Sequence, residues 1–169
     1  MSVTLYEVAL PPIERGLDNL SALLDKAAAH ATARKFDSVV LVQARLYPDM
    51  FPLSRQVQIT CDTAKGAAAR LAGLEIPKHE DTEATLAELK QRIAKTLDFV
   101  RSVRPEQVES GEGRSIELKF PNGTLTFSAR AYLTDFVLPN LYFHISMVYA
   151  LLRHNGVEIG KMDFLGKIQ

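Results

Sequence analysis

The 169-residue sequence contains a single cysteine and no tryptophan, and its 20 Lys plus Arg are matched by 20 Asp plus Glu. A lone thiol, Cys61, excludes an internal disulfide and a multi-thiolate zinc site, and it fits a reducing cytoplasm. Charge balance, with a pI near 6.9, leaves no general basic field for a polyanion, so nucleic acid is not an expected partner. The opening Met1-Ser2-Val3-Thr4-Leu5-Tyr6-Glu7 lacks the basic segment and apolar run of a secretory signal. No uninterrupted apolar run approaches the roughly 20 residues needed to cross a bilayer. The best stretch, Tyr132 to Leu152, is broken by Thr134, Asp135, Pro139, Asn140 and His144, so no membrane span is expected. Also missing are a glycine-rich phosphate loop, G-x-S-x-G, and the H-x-x-x-H or H-E-x-x-H pairs that put two imidazoles on one helix face.

What is present describes one ordinary globular domain over residues 1–169, with 47% hydrophobic and 24% charged residues and no repeat or internal boundary. Leu5, Ala9, Ile13, Leu17, Leu20, Leu24, Ala27 and Ala31 recur in steps of three and four and predict a long first helix. Thr4 and Glu7 fit a capping box, and Pro11-Pro12 predicts a kink or a delayed start to the regular helix. Val39 to Val42 is β-branched enough for a strand, but Asp37 as a cap favours a short helix. Asp49 ahead of Pro52 reads as the start of a second bundle helix, with Val57, Cys61, Ala64, Ala68 and Leu71 as its seam and Gly73 as its stop. Thr82 offers a cap for a third helix carrying Leu86, Leu89, Ile93, Leu97 and Val100. Ile116, Leu118 and Phe120 alternate with polar residues up to Pro121-Asn122-Gly123, then Leu125 and Phe127 follow, which predicts a hairpin turning at Asn-Gly. A last helix runs from about Ala129 to Asn155 and must accommodate Pro139, and the glycine-rich, apolar segment after it reads as a strap packed on the bundle.

The four histidines are His30, His79, His144 and His154. His144 and His154 lie ten residues apart on one helix, about 15 Å along its axis, too far to share a metal ion. His30 and His79 read as solvated. His144 differs, because Val137, Asn140, His144, Met147, Val148 and Leu151 place an imidazole and an amide on an apolar face. Such groups need partners once buried, so His144 and Asn140 either satisfy each other or form the floor of a pocket between helices. Gln58 and Asp62 on the second bundle helix are the nearest complements by pattern, and Cys61 on its seam reads as an inert core thiol.

The strings Arg45-Leu46-Tyr47-Pro48-Asp49-Met50-Phe51-Pro52-Leu53, Gln56-Val57-Gln58, Ala69-Arg70-Leu71-Ala72-Gly73 and Leu138-Pro139-Asn140 through His144 to Gly156 resemble an uncharacterised bacterial family. That family is similar in turn to the DinB/YfiT-like superfamily, whose better-known members include metalloenzymes and thiol-dependent transferases or isomerases. The resemblance covers nearly the whole chain. It implies a mainly α protein, an up-down-down-up four-helix bundle with a small β-hairpin inserted before the last long helix, and a homodimer joined through apolar helix faces. Superfamily members typically ligate a divalent metal through one histidine on the second bundle helix and an H-x-x-x-H pair on the last. His144 matches the second histidine of that pair, Asn140 stands where the first is expected, and the helix-two position falls near Gln58 or Ile59, just before Asp62.

With two imidazoles replaced, the resemblance implies a metal-free polar pocket made by His144, Asn140, Gln58 and Asp62, with Asp49 and Met50 near its mouth, open to an unidentified small molecule. His144 is the candidate acid or base, since imidazole titrates near neutral pH. No cofactor is expected. Three functions remain open at this stage: a small-molecule binder or metal-independent enzyme, a non-catalytic interaction scaffold, and an atypical metal-dependent hydrolase or transferase recruiting His144, Asp62 and Gln58.

Overall fold

A computed structural model describes residues 3–167. Four long helices form the bundle: α1 (Leu5–Arg34), α3 (Leu53–Ala72), α4 (Leu86–Ser102) and α6 (Ala129–His154). Short helices α2 (Val39–Gln43), α5 (Pro105–Glu109) and α7 (Lys161–Leu165) decorate the connections. Strands β1 (Ser115–Phe120) and β2 (Gly123–Ser128) pair antiparallel just before α6.

Cross-helix contacts fix the directions. Arg101 of α4 reaches Asp18 of α1 while Lys90 pairs with Asp25, so these two helices run antiparallel. His144 meets Gln56 and Tyr132 meets Arg70, so α3 and α6 are antiparallel as well. Gly16 lies against Leu141 and Ile145, and His30 against Gly156, so α1 and α6 run parallel. The bundle is therefore up-down-down-up. Gly16 has a reason to be glycine: a β-carbon there would stand 3.1 Å from Ile145 Cδ1, tighter than ordinary packing allows.

The apolar stripes read from the sequence are the core. Every seam position named above for α1, α3 and α4 is buried. The Thr4–Glu7 capping box forms in both directions, and α1 passes through Pro11 and Pro12 without a break, so its regular part is not delayed. Residues 39–43 are helical, with Asp37 Oδ1 accepting from Val39 N at 2.9 Å. Gly73 ends α3 with φ +71°, the left-handed conformation that glycine adopts without a Cβ clash.

Three local expectations are corrected. Asp49 does not start α3; Pro52 stands at the cap position and makes no side-chain cap bond. Thr85, not Thr82, caps α4, because Thr85 has Glu88 three residues on and so completes a reciprocal capping box. The hairpin pairs Phe120 with Gly123, so its two-residue loop is Pro121-Asn122. Proline holds φ negative and Asn122 is not left-handed, which leaves the positive φ to Gly123 at +144°.

Proline 139 is absorbed in an unexpected way. Residues Tyr132–Val137 form a π-helical segment within α6, ahead of a regular α-helix from Leu138 to His154. The wider turn is a recognised way to keep a helix continuous where the normal bonding ladder is interrupted. Phe120, Phe127, Tyr132 and Phe136 cluster around it, with ring centroids 5.9–6.4 Å apart. α6 is long and apolar enough to cross a membrane by length and composition alone. Here it is a wall of the bundle, burying Leu141, Ile145, Val148, Leu151 and Leu152. The segment after it does strap the bundle: Asn19 Nδ2 donates to the Phe164 carbonyl at 3.0 Å, Lys26 pairs with Asp163 at 2.6 Å, and Tyr149 meets Phe164 edge-on.

Candidate functional site

His144 projects from α6 toward α3 and is 8% exposed. Its Nδ1 lies 2.7 Å from Gln56 Oε1, and Gln56 Nε2 donates to the Phe51 carbonyl at 3.3 Å. This chain of contacts fixes the proton. If the Gln56 amide were reversed, its carbonyl oxygen would face the Phe51 carbonyl oxygen, acceptor against acceptor. Oε1 therefore faces the ring, and Nδ1 must carry the hydrogen. The other nitrogen, Nε2, keeps a lone pair. It has no hydrogen-bond partner among the described residues, and it is not one of the side-chain atoms sealed from solvent without one. Phe143, 53% exposed, stands edge-on to the ring at 5.1 Å between centroids. Burial first, and then the positive charge of Arg55, lower the His144 pKa below its ordinary value, so the neutral form prevails near pH 7.

Gln56 is the residue that sequence reasoning missed. It lies outside the seam of Val57 and Cys61, but Leu53, Gln56, Thr60 and Ala67, in steps of three, four and seven, are buried as well, and Gln56 meets α6. A glutamine among such positions is the available signal, because buried amides need partners.

The other expected pocket residues are not gathered around His144. Asn140 turns its amide back along its own helix, Nδ2 donating to the Phe136 carbonyl at 2.7 Å where the π segment ends. It repairs α6 and neither pairs with His144 nor floors a pocket. Asp49 is exposed on the loop before α3; the Met50 carbonyl accepts from Arg45. Gln58 and Asp62 face α4 instead, because two residues along a helix rotate a side chain by about 200°.

There Arg92 of α4, with its side chain 1% exposed, gathers three acids: Asp62 and Asp81, each at 2.9 Å, and Glu83 at 3.0 Å. It also donates to the Glu80 carbonyl at 3.0 Å. Gln58 Nε2 donates to Glu83 at 3.0 Å, and Lys65 pairs with Asp62 at 3.0 Å. Burial works to raise the Glu83 carboxyl, but the hydrogen bonds from Gln58 and Arg92 outweigh it and hold the group below its ordinary value. The network ties the 80–83 segment to both helices. Arg92 Nε and His79 Nδ1 are buried without a protein partner, and both residues line a polar cleft of about 310 Å³.

Cys61 sits behind this network and is fully buried, and burial pushes its thiol up to about 12. Thiolate is the reactive form. The native protein should therefore leave Ellman's reagent uncoloured and release one thiol equivalent only on unfolding; rapid labelling of the folded chain would contradict this placement.

No three His, Cys, Asp or Glu side chains converge to hold a metal among the described residues. The superfamily arrangement fails on chemistry as well. At the places the resemblance marks stand His144, with Nδ1 occupied, and the neutral amides of Asn140 and Gln58, each already bonded elsewhere. Amide oxygens are poor replacements for imidazole toward zinc or nickel. The atypical trio of His144, Asp62 and Gln58 is not assembled, since the latter two belong to the Arg92 network.

The bundle is up-down-down-up, and a buried histidine–glutamine pair joins α3 to α6. The model of the family described as Domain of unknown function (DUF1993) matches residues 5–165, and the chain belongs to that family. A crystal structure of a DinB family member protein from Shewanella denitrificans is 42% identical and superposes with a TM-score of 0.90, covering 97% of this chain and 93% of that one. Among curated proteins none matches the chain.

Proposed function

We propose that this DinB-like protein binds a small hydrogen-bond donor at His144 without a metal, with Nε2 as the acceptor and, where the ligand is acidic enough, as a general base. The carrying observation is the 2.7 Å contact between His144 Nδ1 and Gln56, which leaves Nε2 unprotonated and aimed away from the pair. Gln56 plays the orienting part that a carboxylate plays in many histidine-based sites, but without a negative charge to raise the imidazole pKa. Phe143 supplies an apolar edge for a flat ligand body.

A second reading is favoured by one observation: His144 lines none of the four clefts described for the molecule, which suits a pin that locks α3 to α6. Long-range proton–nitrogen NMR separates the two when combined with titration of phenol, a donor on a flat apolar body. The expected result is the Nδ1–H tautomer at pH 7, a midpoint below the ordinary 6.5, and saturable phenol shifts at His144 and Phe143 that vanish in His144→Ala. The opposite tautomer, or phenol shifts unchanged in a folded His144→Ala, would overturn the binding reading. The sign for stability follows from the lowered pKa. Below about pH 6.5 the unfolded chain takes up the proton more readily, so the contribution is present above that pH and lost as pH falls. His79 shifts in the same direction, through burial and then the charge of Lys65, so the His144 share is read as the difference from His144→Ala.

A further inference from the structure

The opposite face of α6 carries an unassigned cleft, closed on one side by the C-terminal strap. Its floor is Gly16 and Ile145, its walls are Tyr142, Phe164 and Leu165, and its volume is about 220 Å³. An apolar cavity of roughly 150 Å³ already accepts benzene, so a single ring fits. The strap that forms one wall is pinned: Asn19 holds the Phe164 carbonyl, and Lys26 holds Asp163.

Among the described residues that line this cleft, the one cation is Arg15 on α1, and Asn19 is its other polar side chain beside the aromatic and aliphatic walls. Arg15 is exposed and makes no ion pair among the described residues, because the neighbouring acids are engaged elsewhere: Glu14 at 3.4 Å and Asp18 at 2.7 Å both bind Arg101. A guanidinium left open beside aromatic and aliphatic walls matches a planar monoanion, through two parallel N–H donors. A dianion would need more positive charge than the cleft offers.

We propose that this cleft binds a small monocarboxylic acid with a single-ring apolar body, its carboxylate held by Arg15. The ring displaces water from Tyr142, Ile145 and Phe164, and Arg15 selects the anion. The site shares no residue with His144 and stands independently of it.

Benzoate is the probe, with benzamide as its uncharged isostere, each titrated into the full chain by amide NMR. The expected result is saturable benzoate shifts at Gly16, Asn19, Tyr142 and Leu165. Affinity should fall about fivefold for benzamide and by a similar factor in Arg15→Gln, the size of one exposed ion pair. Arg15→Lys, which keeps the charge, should retain most of it. Arg15 is exposed, so these variants fold, and His144→Ala should bind benzoate normally. The proposal is overturned by no saturable shift at these amides up to the solubility of benzoate, by benzamide binding equally well, or by an unaffected Arg15→Gln.

Discussion

Replacing Arg92 by leucine should lower the unfolding free energy by about 3 kcal/mol, the low end of the range for removing one partner from a buried ionic network, because Asp62 and Asp81 are partly open to water. Leucine fills part of the volume, but it leaves Asp62, Asp81 and Glu83 facing one another without the cation that reaches all three. It also strips the Glu80 carbonyl of its donor. The damage should depend on pH with a definite sign. In the wild type the Glu83 pKa is depressed, so its contribution is present above the unfolded carboxylate pKa and is lost as pH falls through the folded one. In the variant the Arg92 share of that contribution is gone at pH 7 while the Gln58 hydrogen bond remains, so the gap between the proteins should narrow on acidification below about pH 4, where the carboxyl groups protonate anyway. Chemical denaturation at pH 7 and again at acid pH measures both. A loss below about 1 kcal/mol at neutral pH would mean the network is a surface cluster of little worth.

That network illustrates what the sequence made legible and what it did not. The bundle was readable because burial on a helix is periodic: Leu5 to Ala31, Val57 to Leu71 and Leu86 to Val100 each repeat on one face, and each stripe is core. Caps were readable where the partner lies three residues away, as for Thr4 with Glu7, and misread at Thr82 because Thr85 competes three positions later with a better partner. The site required knowledge of how helices face each other, which no single helix contains. Gln56 and Gln58 are equivalent by composition, yet one meets His144 and the other Glu83, since α3 is packed on several sides and buries most of its residues. Asn140 was misplaced for a related reason. Its amide serves a carbonyl of its own helix, and that need arises only because the π segment ends there, a feature without a sequence period of its own. The family resemblance carried the fold correctly; it put the helix-two position near Gln58 or Ile59, whereas the residue that His144 meets on α3 is Gln56.

Gly111→Ala should cost about 1–3 kcal/mol, the range for overpacking at a site that cannot relax. A β-carbon at 111 would sit 2.2 Å from the Leu71 carbonyl oxygen, at the end of α3, and 3.1 Å from the Val108 carbonyl oxygen. Arg114 Nη1 stands at 2.9 Å as well, but moving that side chain relieves nothing at the two carbonyls, which are backbone. The same carbonyl is one of two that Arg114 caps, with Nη1 at 2.8 Å from Leu71 O and 3.1 Å from Arg70 O. Arg70 O also accepts from Gly73 N at 3.4 Å at the end of the helix, while Arg114 is the donor that reaches Leu71 O. Pushing the 110–114 turn away from α3 therefore removes a charged cap as well as creating strain, and it loosens the connection that leads into the hairpin and the π segment. Gly113→Ala is the matched control: nothing lies within 4 Å of its β-carbon position, and its φ is not left-handed, so its stability should stay within about 0.5 kcal/mol of wild type. Thermal or denaturant unfolding of the two variants in parallel reads the difference directly. Equal stability of the pair would show that the approach of this turn to α3 is looser than 2.2 Å implies. A large loss in Gly111→Ala alone would place the junction between α5 and β1 among the rigid parts of the fold, where the hairpin and α6 take their positions from the end of α3.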